Sequence, residues 1–296
     1  MTPLKIYAIH LARATERRAA LEAELQRLGR PAEFIAACDG HAPDFSFADH
    51  AHLLLPGQQG QSFKPGAFAC FLSHSHAWQR IAEGDAPHAL VIEDDVVFNP
   101  PAFEAALGGP LPEGFDVLFV NYRMFKLAAA AGWRADFAEL NDPDQWMDRA
   151  LAAPRPAHRL VRGPAFVSVS DTLATLFAAR YYRDPWYATG GDGYIVSRAG
   201  ARRLLEMMHS RKIRMGVDYA MVLNSLSPAL IRDLPDDVLA AMPGICRNFV
   251  LRERAAPPSP GPMGLKSYIH ALDWLVGVNT EMNFPSTIRH QVRKTI

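Results

Sequence analysis

The sequence predicts an α/β protein whose mostly parallel sheet is covered by helices on both faces. Three observations carry that prediction. Short apolar runs such as HALVIEDDVVF and FDVLFVNY have the length and continuity of buried strands. Between them lie stretches with apolar residues at i, i+3 and i+4, the spacing of helices with one buried face. The two kinds of segment also alternate along the chain, which joins neighbouring strands through helical crossovers.

The elements follow in order. LKIYAIHL at 4–11 is the first strand, and Thr15 is expected to cap a helix with Leu21, Leu25 and Leu28 on one face. Gly29 and Pro31 end that helix, and AEFIAAC at 32–38 makes the second strand. Pro65 and Gly66 open a helix on which Phe68, Phe71, Leu72, Ser75, Trp78 and Ile81 share a face. The runs HALVIEDDVVF and FDVLFVNY follow. Residues 123–184 show no clean periodicity and are expected to contain long loops. WYATGGDGYIVS at 186–197 reads as a glycine-interrupted strand, after which Ser197 caps a helix bearing Ala201, Leu204, Leu205 and Met208. A short helix after Gly216 carries Tyr219, Val222, Leu223 and Leu226.

One large domain is expected over 1–254, with its halves at 1–122 and 123–254. Residues 255–264, AAPPSPGPMG, are too rich in Pro and Gly for a regular element and read as a linker. The stretch 265–296 is expected to be a C-terminal extension, with Tyr268, Leu272, Leu275 and Val276 on a helical face and a basic end carrying Arg289, Arg293 and Lys294. That end suits contact with an anionic inner leaflet, while packing of the helix on its own domain explains the pattern equally.

Composition narrows the function. Thirty-one basic against 31 acidic side chains give zero net charge, which argues against a nucleic-acid binder. The three cysteines, Cys38, Cys70 and Cys246, form neither a disulfide framework nor a zinc spacing and are expected as free thiols. No apolar run is long enough to cross a bilayer and the opening residues lack a signal peptide, so a cytoplasmic location is expected, with the tail allowing peripheral contact with the membrane.

The strongest chemical signal is Glu93-Asp94-Asp95, directly after the apolar Ala89-Leu90-Val91-Ile92. In parallel α/β sheets ligands bind beyond the carboxyl ends of the strands, where this triplet falls. If strand geometry continued, Glu93 and Asp95 would share a side about 7 Å apart. Adjacent acids repel one another and have no packing role. A hard divalent cation, Mn²⁺ or Mg²⁺, takes such oxygens together with substrate phosphates. A solvated acidic loop is the plain alternative.

Taken together, IYAIHLARATERRAALEAEL, AEFIAACDG, PGAFACFLSHSHAWQRI, ALVIEDDVVF, GDGYIVSRAGARRLL and GVDYAMV resemble glycosyltransferase family 25 across about residues 4–226. That family includes bacterial lipopolysaccharide galactosyltransferases and collagen galactosyltransferases. The resemblance implies a GT-A fold, a UDP-sugar donor (usually UDP-galactose) and inverting, metal-dependent transfer to a hydroxyl of a saccharide acceptor, with a lipid-linked acceptor as one possibility. It assigns 1–122 to the nucleotide sugar and 123–254 to the acceptor. The acidic triplet takes the place of that fold's DxD motif: Asp95, with Glu93, is the expected metal ligand. Glu93 and Asp94 are then candidates for ribose and donor-sugar contacts.

The same resemblance places His10, Arg13 and Arg17 beside the nucleotide, where an arginine can pair with the pyrophosphate. A solvated helix start accounts for any one of them as well. Asp39 would lie by the uridine, though Asp39-Gly40 is also a plain turn. Ser73 and His74 are weighed evenly between donor binding and a satisfied core position, and His74 and His76 fall on different helix faces. Asp218 is the first candidate for the base that takes the acceptor proton, although an Asp at a helix start is also a cap. Asp192 is the second, in a TGGDGY segment that departs from the family pattern. A catalytically silent nucleotide-sugar or glycan-binding protein is the main alternative, and a metal-dependent phosphoesterase a weaker one.

Overall fold

The structure is a computed structural model, and it describes residues 4–55, 64–100, 103, 109–131, 166–178, 190–242, 244–255, 264–271 and 275–278. Its centre is a seven-stranded sheet. In chain order the strands are β1 (Lys5–His10), β2 (Glu33–Ala36), β3 (His88–Glu93), β5 (Val117–Phe119), β6 (Phe166–Ser168), β7 (Gly193–Ser197) and β8 (Ser267–His270). β4 (Val96–Phe98) pairs separately with β9 (Val276–Val278). Across the sheet the order is β2-β1-β3-β7-β5-β8-β6. β7 and β6 run against the other five, so the sheet is mostly parallel, as expected.

Alternation along the strands sorts the core into two layers. Tyr7, Ile9, Ala89, Val91, Phe119 and Tyr194 face one side, where α2 (Pro65–Glu83) and α5 (Arg198–Arg211) cover them. Ile6, Ala8, Leu90, Ile92 and Ile195 face the other, where Leu21 and Leu25 of α1 (Thr15–Arg27) pack. The remaining helices are α3 (Tyr122–Ala130), α4 (Val169–Ala178), α6 (Val217–Leu223), α7 (Pro228–Asp233), α8 (Asp236–Ala241) and α9 (Gly244–Ala255).

Most local expectations hold. Gly29 takes φ +63° just beyond α1, the left-handed conformation that glycine enters without strain and that ends a helix. Phe68, Phe71, Leu72, Ser75, Trp78 and Ile81 are all buried on α2. Ser197 accepts a hydrogen bond from the Gly200 N–H at 2.9 Å, capping α5.

Three expectations are corrected. Thr15 is inside α1; the cap position belongs to Ala14, which makes no side-chain bond, so the helix starts without one. Strand geometry does not continue through the acidic triplet: β3 stops at Glu93, and Asp94 and Asp95 form a turn into β4. The helix expected through Tyr268, Leu272, Leu275 and Val276 is replaced by β8 and β9, with Leu272 outside the described residues. β8 lies between β5 and β6, so the chain after the Pro/Gly stretch completes the sheet and is no appendage. Residues 256–263 and the basic end at 279–296 lie outside the described residues. No helix among the described residues is long and apolar enough to cross a membrane.

Candidate functional site

The carboxyl ends of β1, β3 and β5 meet the amino end of β7 at one edge of the sheet, because β7 runs against them. His10, Glu93, Asn121 and Gly193 therefore converge there, at the edge where α/β sheets bind ligands. A 3.4 Å backbone hydrogen bond from Glu93 N to Asp192 O closes the strand ends together.

Asn121 shapes this edge, and the sequence reading passed over it. Its Oδ1 accepts from Met124 N at 2.9 Å, capping α3, while its Nδ2 donates to Gly190 O at 2.8 Å and Gly193 O at 3.1 Å. One buried amide thus starts a helix and pins the 190–193 loop. An Asn between a strand and an apolar helical stretch is the signal that would have revealed it. Within that loop the glycines admit neighbouring side chains. A Cβ on Gly191 would stand 2.8 Å from Asp218 Oδ1 and 3.1 Å from the His74 ring, and one on Gly193 would strike Val276 at 1.9 Å.

Two of the acids carry bare oxygens. Asp94 Oδ2 lies 2.8 Å from His10 Nδ1 and accepts from Leu11 N at 3.3 Å, while its Oδ1 stands 3.2 Å from Arg17 Nη2. Arg17 Nη1 donates to Asp95 Oδ2 at 3.3 Å, leaving buried Asp95 Oδ1 without a hydrogen-bond partner among the described residues. Neither carboxylate oxygen of buried Asp192 accepts a hydrogen bond there either; Arg123 Nε stands 3.7 Å from its Oδ1. Arg123, which sequence reading also missed, has its guanidinium held more firmly protonated, chiefly by the Asp192 charge.

The electrostatics follow from crowding acids away from water. Burial pushes Glu93 upward and Asp192 adds repulsion; burial likewise raises Asp95, with repulsion from Glu93 next. Asp218 rises to about 6 through burial, partly opposed by Arg123. His74 goes the other way: burial lowers it to about 4, leaving a neutral ring near neutral pH. Its Nδ1 is 2.9 Å from the Tyr194 hydroxyl, which accepts from Trp78 Nε1 at 2.7 Å, and its Nε2 is 3.4 Å from Glu93 Oε1.

The sequence-predicted residues therefore divide. His10, Arg17, His74, Glu93, Asp94, Asp95, Asp192 and Asp218 gather around one polar centre. Arg13 and Asp39 form an exposed pair at 2.6 Å on its rim. Ser73 does not face the acids: its hydroxyl donates to Ala69 O and accepts from Cys38 N, tying α2 to the end of β2. The buried bare oxygens of Asp95 and Asp192 suit a hard cation, since a buried carboxylate oxygen without a donor is costly unless positive charge completes it.

Comparison with known proteins adds independent information. Residues 3–111 match the family model described as Glycosyltransferase family 25 (LPS biosynthesis protein). A stretch of 100 residues is 36% identical to a Glycosyltransferase 25 family member of Anopheles gambiae, 33% to the Inactive glycosyltransferase 25 family member 3 of Mus musculus and 31% to Procollagen galactosyltransferase 1 of Danio rerio. Each alignment covers 32% of this chain and 17% of the relative, so the shared part is a small fraction of those proteins. Among solved structures, the WbbM bifunctional glycosyltransferase in its apo form aligns with a TM-score of 0.37 at 11% identity, over 100% of this chain and 52% of that one.

Proposed function

We propose that this chain, whose residues 3–111 match the glycosyltransferase family 25 model, transfers a hexose with inversion from a UDP-sugar to a hydroxyl of a saccharide acceptor. Galactose is the proposed hexose, in keeping with the name of the Danio rerio relative, and bacterial surface-glycan assembly the proposed setting, in keeping with the family description. The observation that carries the reading is the set of buried carboxylate oxygens without donors among the described residues, on Asp95 beside Arg17 and on Asp192 beside Arg123, at the ligand-binding edge of the sheet.

Asp95, with Glu93, would hold Mn²⁺ or Mg²⁺, and the bare oxygens of Asp192 make it a further candidate ligand. When bound, the cation supplies Lewis-acid stabilisation of the departing diphosphate. Arg17 supplies a fixed positive charge at the same place and orients Asp94 and Asp95 through its two nitrogens. His10, by its bond to Asp94, holds that carboxylate in position. Arg13 and Asp39 on the rim are placed for the nucleoside, and neutral His74 completes the wall behind Glu93.

Asp218 is proposed as the base. A carboxylate whose pKa is raised to about 6 is still ionised at neutral pH yet basic enough to take the acceptor proton as the C–O bond forms. It heads α6 and stands against Gly191, which fixes its direction. Asp192 is the competing candidate, and substitutions distinguish them. Asp218→Asn should abolish transfer while retaining cation-dependent UDP-sugar binding; Asp192→Asn should lose both if that residue holds the cation.

The reading is tested by thermal shift with UDP-sugars in Mn²⁺, Mg²⁺ or chelator. A ligand bound only by the native state raises the melt, so stabilisation by a UDP-sugar that chelator removes is expected. Failure of every uridine nucleotide to shift it would defeat the proposal. The second reading, a nucleotide-sugar-binding protein without turnover, is favoured by the Mus musculus relative named inactive. Binding with neither hydrolysis nor transfer to any saccharide acceptor would select it.

A further inference from the structure

Behind the oxygen-rich centre stands a second group of ligands with different chemistry. Cys70 and His74 are one turn apart on α2 and so project along one face, toward the end of β3. One ligand atom each from Cys70, His74 and Glu93 lies within 4.8 Å of the other two. The His74 Nε2 to Glu93 Oε1 separation is 3.4 Å. Tetrahedral zinc, with Zn–N and Zn–O near 2.0–2.2 Å and Zn–S near 2.3 Å, sets neighbouring ligand atoms roughly 3.3–3.6 Å apart. The His–Glu edge already has that length, and the thiol has to close by little more than about 1 Å, within reach of a change of side-chain torsion.

The surroundings favour a ligand histidine. Nδ1 is held at 2.9 Å by the Tyr194 hydroxyl, itself fixed by Trp78, so the ring is oriented and Nε2 faces the other ligands. A hydrogen bond to the nitrogen away from the metal is how proteins set the tautomer and direction of a metal-bound imidazole. His74 is fully buried, so its position is held by the packing around it. Spacing read from the sequence missed the group because its cysteine and histidine lie one helical turn apart, with the third ligand on another element.

We propose that Cys70, His74 and Glu93 form a site for a thiophilic divalent cation of the Zn²⁺ class, and that filling it withdraws Glu93 from the oxygen-only centre at Asp95 and Asp192. On binding, the Cys70 S–H bond breaks, its proton leaves to solvent and the thiolate lone pair goes to the metal. The site stands whether or not the chain transfers sugar. In a transferase it would make zinc an inhibitor acting through Glu93, in contrast to Mn²⁺ or Mg²⁺.

The test is titration of the full chain with Co²⁺, whose spectrum reports ligand type. Expected are a thiolate-to-cobalt charge-transfer band in the near ultraviolet and intense visible bands of tetrahedral form, displaced by Zn²⁺ but not by Mg²⁺. Cys70→Ser should lose the charge-transfer band, whereas Cys38→Ser and Asp95→Asn should keep it. As a second measurement on the unaltered chain, Zn²⁺ should protect Cys70 from alkylation mapped by mass spectrometry. Absence of the charge-transfer band in the unaltered chain, its survival in folded Cys70→Ser, or unprotected Cys70 in saturating Zn²⁺ would each overturn the site. A UDP-sugar melt shift under Mn²⁺ is read separately, so failure here leaves the transferase reading standing.

Discussion

Arg17 Nη1 stands 3.3 Å from Asp95 Oδ2, and the other oxygen of that carboxylate, Oδ1, is buried with no hydrogen-bond partner among the described residues. A half-satisfied buried acid is stable only because a neighbouring charge offsets part of the penalty. Arg17, with its side chain 14% exposed, also reaches Asp94, so it offsets the charge of the two acids that follow β3.

Arg17→Ala should therefore destabilise the metal-free protein by about 2 kcal/mol, the scale of an unpartnered buried charged group. Urea unfolding in chelator measures it. Lys should restore only part of the loss, because one ammonium cannot span both carboxylates as the guanidinium fork does. An Arg17→Ala midpoint equal to wild type would show that the acids are neutralised in another way.

Asp95→Asn should separate stability from function. Replacing a buried acid that repels Glu93 removes an unfavourable term, so the melt in chelator should stay level or rise. Stabilisation by Mn²⁺ should vanish and sugar transfer should fall at least about 100-fold, the scale for loss of a preorganised charge-stabilising group. Wild-type transfer in the presence of metal would remove Asp95 from the site.

Stability of the metal-free protein should fall as pH rises from about 4 to 7. Asp218 has a folded pKa of about 6 against an ordinary 3.8, so between these values the native state holds a proton that the unfolded chain has released. Glu93 and Asp95 are raised for the same reason and act in the same direction. His74 opposes them: lowered to about 4 from 6.5, it is protonated first in the unfolded chain, so its contribution grows as pH rises through that window. Three acids outweigh one histidine. Urea midpoints at about pH 5 and pH 7.5 in chelator check the sign, and Asp218→Asn should flatten the dependence.

Gly191→Ala tests how tightly the loop is seated. The added Cβ would meet Asp218 Oδ1 at 2.8 Å and the His74 ring at 3.1 Å, so both must shift. Activity should drop more than about tenfold, the cost of misplacing a catalytic group, while the circular-dichroism spectrum is kept. Gly216→Ala, where a Cβ meets nothing within 4 Å, is the matched control and should behave as wild type.

What the sequence revealed follows the distance over which the information lies. Glu93, Asp94 and Asp95 are consecutive and end an apolar run, so their chemistry was legible at once. His10 ends β1 and Arg17 lies on the helix after it, and both were legible through the family resemblance. Asn121 and Arg123 were not: each is a single polar residue whose partner, the 190–193 loop, lies far along the chain. Metal-type ligands on two elements, Cys70, His74 and Glu93, were hidden for the same reason. The C-terminal strands were misread because β8 is largely buried, and a short apolar run covered on both faces has no period of its own with which to oppose a helix.

That misreading leads to a definite expectation for truncation. The composition of 255–264 invites a cut there, on the view that a separable tail follows. In the structure β8 pairs in parallel with β5 and antiparallel with β6, and Ile269 is fully buried between the layers. Leu275 and Val276 are also fully buried, and Val276 fills the space left by the missing side chain of Gly193. Ending the chain at 264 strips β5 and β6 of a hydrogen-bonded neighbour, exposes apolar surface on both faces and bares strand edges, which favours aggregation. The shortened protein should be recovered insoluble or without a cooperative melt, whereas removing 279–296 should leave a cooperative transition. A chain ending at 264 that unfolded as sharply as the full protein would show that β8 is dispensable to the sheet.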